Sequence, residues 1–274
     1  MPTRMLIAVL VLTGGVIALA GAWNRQSTRP APVPEIAFVP QDVELDADLL
    51  GTQTDAGQLL QMAIAKLDPA KTTWLKTKIR QAVSDGTSHF VSEALLQRGP
   101  NHCARLEMTI KMAGCESNLT VVSDGDVVAQ IRQLPGIEPK FEVQELPDGP
   151  DSQREAVLNA KSCGGPAALL RQLHEQMRNG RLQTGRLKDR TVIRIHGDLD
   201  AGAKTSFASS AHTAVAYLDT KTLWPCRLEW WGIDSANAPR LISCMDFEGT
   251  EVNCPLSADE CMRVFSYQAE SAQP

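Results

Sequence analysis

VAYLDTKTLWPCRLEWWGID, Val215 to Asp234, followed after a small polar break by RLISCMDFEG, Arg240 to Gly249, is the stretch on which the fold turns. Val215 and Tyr217 belong to a strand, and Asp219-Thr220-Lys221-Thr222 ends it with side-chain oxygens that bond their own backbone in a turn. Leu223-Trp224-Pro225 leads into a second strand through Trp231, and beyond Asp234-Ser235-Ala236-Asn237 a third runs from Leu241 to Phe247. The three strands make an antiparallel meander.

Outward from the meander the same period recurs. Leu106, Met108, Ile110 and Met112 alternate with Arg105, Glu107, Thr109 and Lys111, and similar runs occupy Thr87 to Leu96, Glu116 to Val122, Val127 to Ile131, Phe141 to Leu146 and Thr191 to Leu199. Asp124-Gly125 joins two of them as a hairpin turn, because glycine tolerates positive φ. Sequential strands with short turns predict an antiparallel sheet with one wet and one apolar face. Two helices bracket it. The first is expected from Asp68-Pro69, a cap followed by proline, with Leu75, Ile79, Ala82 and Val83 on one face beside Trp74. Gly57 to Leu67 adds a further short helix. The second opens after Gly164-Gly165 at Pro166, sets Leu169, Leu170, Leu173 and Met177 at helical spacing, and ends at Asn179-Gly180. The expected class is α+β: a curved antiparallel sheet with two or three helices on its concave face.

The meander's phrase of Leu218-Asp219, a turn, an apolar residue near Pro225, and then Arg227-Leu228-Glu229 among aromatics resembles the C-terminal half of the LolA-like periplasmic lipoprotein-carrier superfamily. Val122-Ser123-Asp124-Gly125 resembles that family's hairpin turn, and Asn253-Cys254-Pro255 with Phe265 and Tyr267 resembles its final strand. The resemblance covers about Asp68 to Gln268 and implies an open half-barrel with helices in its mouth and an apolar ligand held between helices and sheet. The family's lid-latching arginine matches no one position in this sequence.

With 274 residues, less a leader and linker, the chain suits one domain of roughly 200 residues. Residues 55-268 are assigned to that domain and 269-274 to a tail. A net charge of -5 argues against a nucleic-acid partner. Arg171, Arg178, Arg181, Arg186, Lys188, Arg190 and Arg194 gather in one basic stretch, either a solvated face or a contact for anionic head groups. Met5 to Trp23 is apolar and uninterrupted by charge; at 1.5 Å per residue it spans about 28 Å, close to a hydrocarbon core. Arg4 before it and Ala20-Gly21-Ala22 within it fit a signal sequence equally. Both readings mean export to the periplasm or cell envelope, with anchoring to the inner membrane through residues 5-23 if the leader is uncut. Residues 24-54, with Pro30, Pro32, Pro34 and Pro40 and then a run of acids, are expected to be an extended tether.

Catalytic chemistry finds no pattern here. There is no G-x-S-x-G, P-loop, G-x-G-x-x-G or C-x-x-C, so no enzyme and no cofactor are expected. His174-Glu175 begins like a zinc-protease helix, but Arg178 stands where the second histidine belongs, and no metal site is assigned. Asp198 and Asp200 near His196 read as a strand end. Seven cysteines in an exported chain point to disulfides. If the hairpin turn centres near Ser235, Cys226 and Cys244 fall opposite each other; Cys254 with Cys261 would clip a short loop, Cys103 with Cys115 is a third pairing, and Cys163 is left over. The rival reading is buried free thiols.

The expected function is a non-catalytic envelope carrier or sensor that binds a lipid, a lipoprotein acyl chain or a lipidated protein in the half-barrel. Its candidate lining is Trp74, Phe90, Met108, Ile110, Leu173, Met177, Leu228 and Trp230. The alternative is a membrane-tethered interaction or structural domain on the same fold with a filled core. The two differ in the concavity: a ligand site calls for an apolar pocket of at least about 300 Å3.

Overall fold

The computed structural model describes residues 43–51, 53–67, 74–84, 89–112, 114–200, 211–234 and 236–266. The apolar leader, Asp68-Pro69 and Tyr267 lie outside the described residues.

Twelve antiparallel strands form one open sheet. They are β1 (Val43–Gly51), β2 (Leu75–Ser84), β3 (His89–Arg98), β4 (Cys103–Met112), β5 (Cys115–Asp124), β6 (Val127–Gln133), β7 (Lys140–Glu145), β8 (Met177–Leu187), β9 (Arg190–Leu199), β10 (Ala211–Asp219), β11 (Pro225–Ile233) and β12 (Pro239–Val252). Their order is β1-β8-β9-β10-β11-β12-β2-β3-β4-β5-β6-β7, so the meander sits at its middle and β1 and β7 are its edges. Four helices accompany it: α1 (Gln53–Leu67), α2 (Asp151–Ala160), α3 (Gly165–Gln176) and α4 (Ala258–Phe265). These four are the helices among the described residues; α1, α2 and α3 contribute to the core on the inner face, and α4 does not.

Alternation builds the sheet. On its outer face, Gln183, Arg194, Tyr217, Arg227, Asp246, Arg80, Glu93, Thr109, Asn118 and Gln133 stand opposite one another in succession from β8 to β6. Bonds link them along the row: Arg227 holds Asp246 in a fork at 2.6 and 3.1 Å, Arg80 meets Glu93 at 2.9 Å, and Thr109 donates to Asn118 at 3.0 Å. The neighbouring row on the inner face runs Leu182, Ile195, Ala216, Leu228, Met245, Gln81, Ser92, Ile110 and Ser117. A slip of one residue would exchange these rows, so the charges fix the register as firmly as the apolar side chains do. The inner row feeds one large core together with α1, α2 and α3, to which Leu60, Leu158, Leu169, Leu170 and Leu173 contribute buried side chains.

Several expectations are corrected. Leu75 to Ser84 is strand β2, not a helix. Leu75, Thr77, Ile79, Gln81 and Val83 face in. Because two of those five are polar, the three apolar ones fall four residues apart and imitate a helical stripe. The short helix expected at Gly57 to Leu67 is present and longer, as α1. Val43–Gly51, placed in the tether, pairs with β8 as an edge strand, and β8 was missed because its Asn179, Gly180 and arginines resemble a loop. The final segment is not a strand but α4, closed by a capping box in which the Ser257 hydroxyl accepts from the Glu260 amide and the Glu260 carboxylate accepts from the Ser257 amide. The helix at Pro166 is observed; it ends at Gln176, one residue before Met177 enters β8. Gly165 there has φ +66°, and an added Cβ would lie 2.8 Å from Leu96, so only glycine fits this entry.

The hairpin between β11 and β12 pairs Glu229 with Cys244 and Arg227 with Asp246. The pairs nearest the turn, such as Ile233 with Pro239, already centre it past Ser235, and the register shift between Trp230 and Trp231 moves it half a residue further, so Cys226 and Cys244 do not face each other. All seven thiols are free. Cys103 stands opposite Asp124 and Cys115 opposite Met112, at the two ends of the β4–β5 pair, so these two are far apart as well. The Cys254 and Cys261 sulfurs turn to different carbonyls, of Val252 and Leu256.

Candidate functional site: the inner face of the sheet and the cleft under α1

The resembling phrase divides between the two faces. Leu228 and Trp230 point into the main core, whereas Arg227 and Glu229 lie on the outer face, 4% and 2% exposed. Asp219 is a turn builder: its Oδ1 accepts from the Lys221 and Thr222 amides at 2.9 and 2.8 Å and from the Thr222 hydroxyl at 3.0 Å. On the outer face Glu229 accepts from Trp231 Nε1 at 3.0 Å and from the Tyr217 hydroxyl at 3.3 Å. Burial raises the Glu229 carboxyl despite these donors and Arg227, and burial with the Glu229 charge pushes Tyr217 up to about 12. This polar group stitches β10, β11 and β12 together and belongs to the scaffold rather than to a ligand site.

The candidate lining residues are largely brought together. Phe90, Met108, Ile110, Leu173, Met177, Leu228 and Trp230 all enter the one core between sheet and helices. Trp74 does not. It precedes β2 and stacks on Phe265 of α4, ring centroids 6.3 Å apart, beside Gly99. Its apolar neighbours in the sequence gave no sign of this.

Among the described residues an opening leads toward the core. A cleft of about 160 Å3 lies between α1, the end of α3 and the start of β8, lined by Ala56, Gly57, Leu60, His174, Met177, Arg178 and Gly180. Glycines create the close approach beneath it. A Cβ on Gly180 would lie 2.8 Å from the Ala56 Cβ, and one on Gly197 would strike the Met177 side chain. At the rim Arg178 is engaged in structure: its guanidinium donates to the Glu175 and Met177 carbonyls at 2.9 and 3.1 Å, covering the α3 C-terminus, and pairs with Asp200 at 2.8 Å. Asn179 donates to Asp198 at 2.9 Å. The Asp198 and Asp200 pair is thus the strand end that the sequence indicated. Burial, with Arg194, lowers the His196 imidazole. Among the described residues no cluster of three His, Cys, Asp or Glu side chains could hold a metal ion.

A second, wider depression of about 420 Å3 lies at the β6–β7 turn, lined by Glu116, Asn118 and the residues from Gln133 to Glu138. It is an open, largely polar surface feature whose Ile137 is 52% exposed; on the neighbouring β7, Phe141 and Val143 are 41% and 53% exposed.

A third group secures α2. Arg98, 5% exposed, forks onto Glu155 at 2.6 and 3.0 Å, while His102 contacts Glu155 and Asp151, each at 3.1 Å. Burial alone would raise the Glu155 carboxyl, but the Arg98 hydrogen bonds and charge, with His102, hold it below its ordinary value. Cys163 lies beside this group, and burial pushes its thiol up to about 12, so it is an inert core thiol.

No protein-family model matches the chain, and no curated protein matches it. The chain is similar in structure to LprF from Mycobacterium bovis, at 11% identity and TM-score 0.46, over 76% of this chain and 97% of that one. It is also similar to a LolA superfamily protein from Nitrosomonas europaea, at 10% identity and TM-score 0.28, over 77% and 97%. A third likeness is to MucB in the MucA/MucB complex of Pseudomonas aeruginosa, at 14% identity and TM-score 0.36, over 80% and 62%.

Proposed function

We propose that the chain is a non-catalytic cell-envelope protein that binds the apolar part of a lipid or lipidated protein between α1, α3 and the inner face of the sheet. The observation that carries this reading is the cleft whose floor, Leu60 and Met177, is continuous with the core formed by Met108, Leu173 and Trp230. At about 160 Å3 the cleft is smaller than the roughly 300 Å3 that a ligand site takes, so this reading requires α1 to part from β8 when a ligand binds. Each ligand methylene that takes the place of a helix methylene on the sheet gains about 0.8 kcal/mol, while the helix methylene lifted away forfeits a similar amount. Such an exchange is nearly balanced, which suits a carrier that must also release. Met108, Met177 and Met245 are side chains that repack at low cost.

The test is native mass spectrometry with lipid extraction on the full chain purified from an envelope-bearing host. Acyl lipid is expected to co-purify, and to be reduced in Gly57→Leu, which fills the cleft from a helix position where a Cβ meets only His174 Nε2, at 4.0 Å. A clean apo mass that no added lipid shifts would sink the reading. The alternative, a tethered interaction domain with a filled core, is favoured by two observations: the cleft is smaller than a ligand site takes, and Phe141 and Val143 on β7, with Ile137 just before it, are exposed.

A further inference from the structure

Gln81 of β2 lies on the apolar inner face and is 1% exposed, yet neither its Oε1 nor its Nε2 has a hydrogen-bond partner. Its surroundings follow from the register. Met245 stands opposite on β12 and Ser92 opposite on β3, with Ile110 next along the row. Diagonally across, opposite Val83, Ser243 is fully buried and its Oγ is equally without a partner. Thr77, the other polar side chain on this face of β2, shows the contrast, because its hydroxyl meets that of Thr250 at 2.9 Å.

Buried polar side chains in native proteins are nearly always bonded. A carboxamide and a hydroxyl left unmatched side by side in a wall of Val83, Phe90, Ile110 and Met245 therefore require an explanation beyond packing. A leucine or methionine at position 81 would keep the period-two pattern of β2 without the desolvation penalty that glutamine carries. A primary amide offers one acceptor and donors together. A ligand that satisfies both ends must present a carbonyl to Nε2 and an N–H to Oε1, which an amide does and an ester does only in part.

We propose that Gln81, with Ser243 beside it, is the polar anchor of the inner face, and that it recognises the amide linkage of an N-acyl chain whose hydrocarbon lies against Phe90, Ile110 and Met245. The proposal rests on the ligand-binding reading above and gives it a chemical class. Sites built to hydrogen-bond a ligand discriminate against analogues that lack the matching group, because the buried partner is then left bare.

The experiment compares N-methylpalmitamide, methyl palmitate and heptadecane, each delivered from cyclodextrin to the full chain, by displacement of a polarity-sensitive dye. The wild-type chain is expected to bind the amide on the order of tenfold more tightly than the ester, and the ester more tightly than the alkane. Gln81→Met, which conserves volume, is expected to erase the amide preference while raising the melting temperature. Ser243→Ala is expected to narrow the preference with the fold unchanged, and decides the matter if Gln81→Met does not fold. Equal binding of the three probes, or an amide preference that survives Gln81→Met, overturns the proposal and leaves Gln81 as a residue solvated by buried water. Failure of all three probes to bind overturns the ligand-binding reading itself, and the anchor with it.

Discussion

At the scale of single residues, the strongest constraints are ion pairs taken out of water. Arg227 is 4% exposed and held in a fork by Asp246, with Glu229 at 3.7 Å. Removing one partner of such a pair leaves a buried charge without compensation. Asp246→Ala is therefore expected to lower stability by about 3 kcal/mol in urea unfolding, whereas joint replacement of Arg227 and Asp246 by Met and Leu should cost far less than the two single changes together. Glu155 supplies a pH signature. Its folded carboxyl is held below the ordinary value of 4.5, so the stability it contributes is complete above that value and is lost as pH falls through the lower folded value. Stability measured against pH should fall on the acid side for the wild-type chain, and Glu155→Gln should be weaker at neutral pH with a flatter acid limb. An unchanged limb would mean that the Arg98 pair does not persist in solution.

At the scale of elements, β2 and β1 carry the lessons. Three of the five inward residues of β2 are apolar, and Thr77 and Gln81 interrupt them, so the local pattern favours a helix and only the register with β12 and β3 makes it a strand. The same interruption marks the proposed anchor. Strand β1 was missed for a different reason: Val43, Leu45, Ala47 and Leu49 alternate with Glu44, Asp46 and Asp48, a period of two hidden by the acidic composition and the proline-rich run before it, and its backbone pairs with β8. A chain beginning at residue 55 would leave the β8 edge open and shorten α1. It is expected to aggregate during refolding, by light scattering, while a chain beginning before Val43 stays monodisperse.

At the scale of the whole molecule, an open sheet has two edges to manage. β7 is short and carries Lys140, Glu142 and Glu145, the charges that discourage strand pairing, yet its Phe141 and Val143 remain exposed. Concentrated solutions are expected to show self-association, measured by sedimentation, and Val143→Lys should suppress it without changing the melting temperature. Association that persists in this variant would place the contact elsewhere. The outer polar row, running from Gln183 to Gln133, and the inner apolar row tie β8 to β6 together across the sheet, so local opening is expected at the helices. Those helices meet the sheet chiefly through apolar side chains, and the cleft lies at their junction. On the proposed reading, ligand entry would move α1 and leave the sheet in place.

By itself the sequence determined the antiparallel sheet, the helix opening at Pro166, the turn at Asp124-Gly125 and the central meander, because each is written in local period or turn chemistry. The sequence also indicated Phe90, Met108, Ile110, Leu228 and Trp230 by alternation and Leu173 by helical spacing as core residues, while Met177, expected on the helix, reaches the same core from β8. Only the tertiary structure decided that Leu75 to Ser84 is a strand, that Val43–Gly51 joins the sheet, that Trp74 leaves the core for Phe265, and that Cys226 does not face Cys244. Which strands pair, where Trp74 packs and where the β11–β12 hairpin centres depend on partners distant in the chain and have no local signature, whereas the alternation of Val43, Leu45, Ala47 and Leu49 within β1 is local.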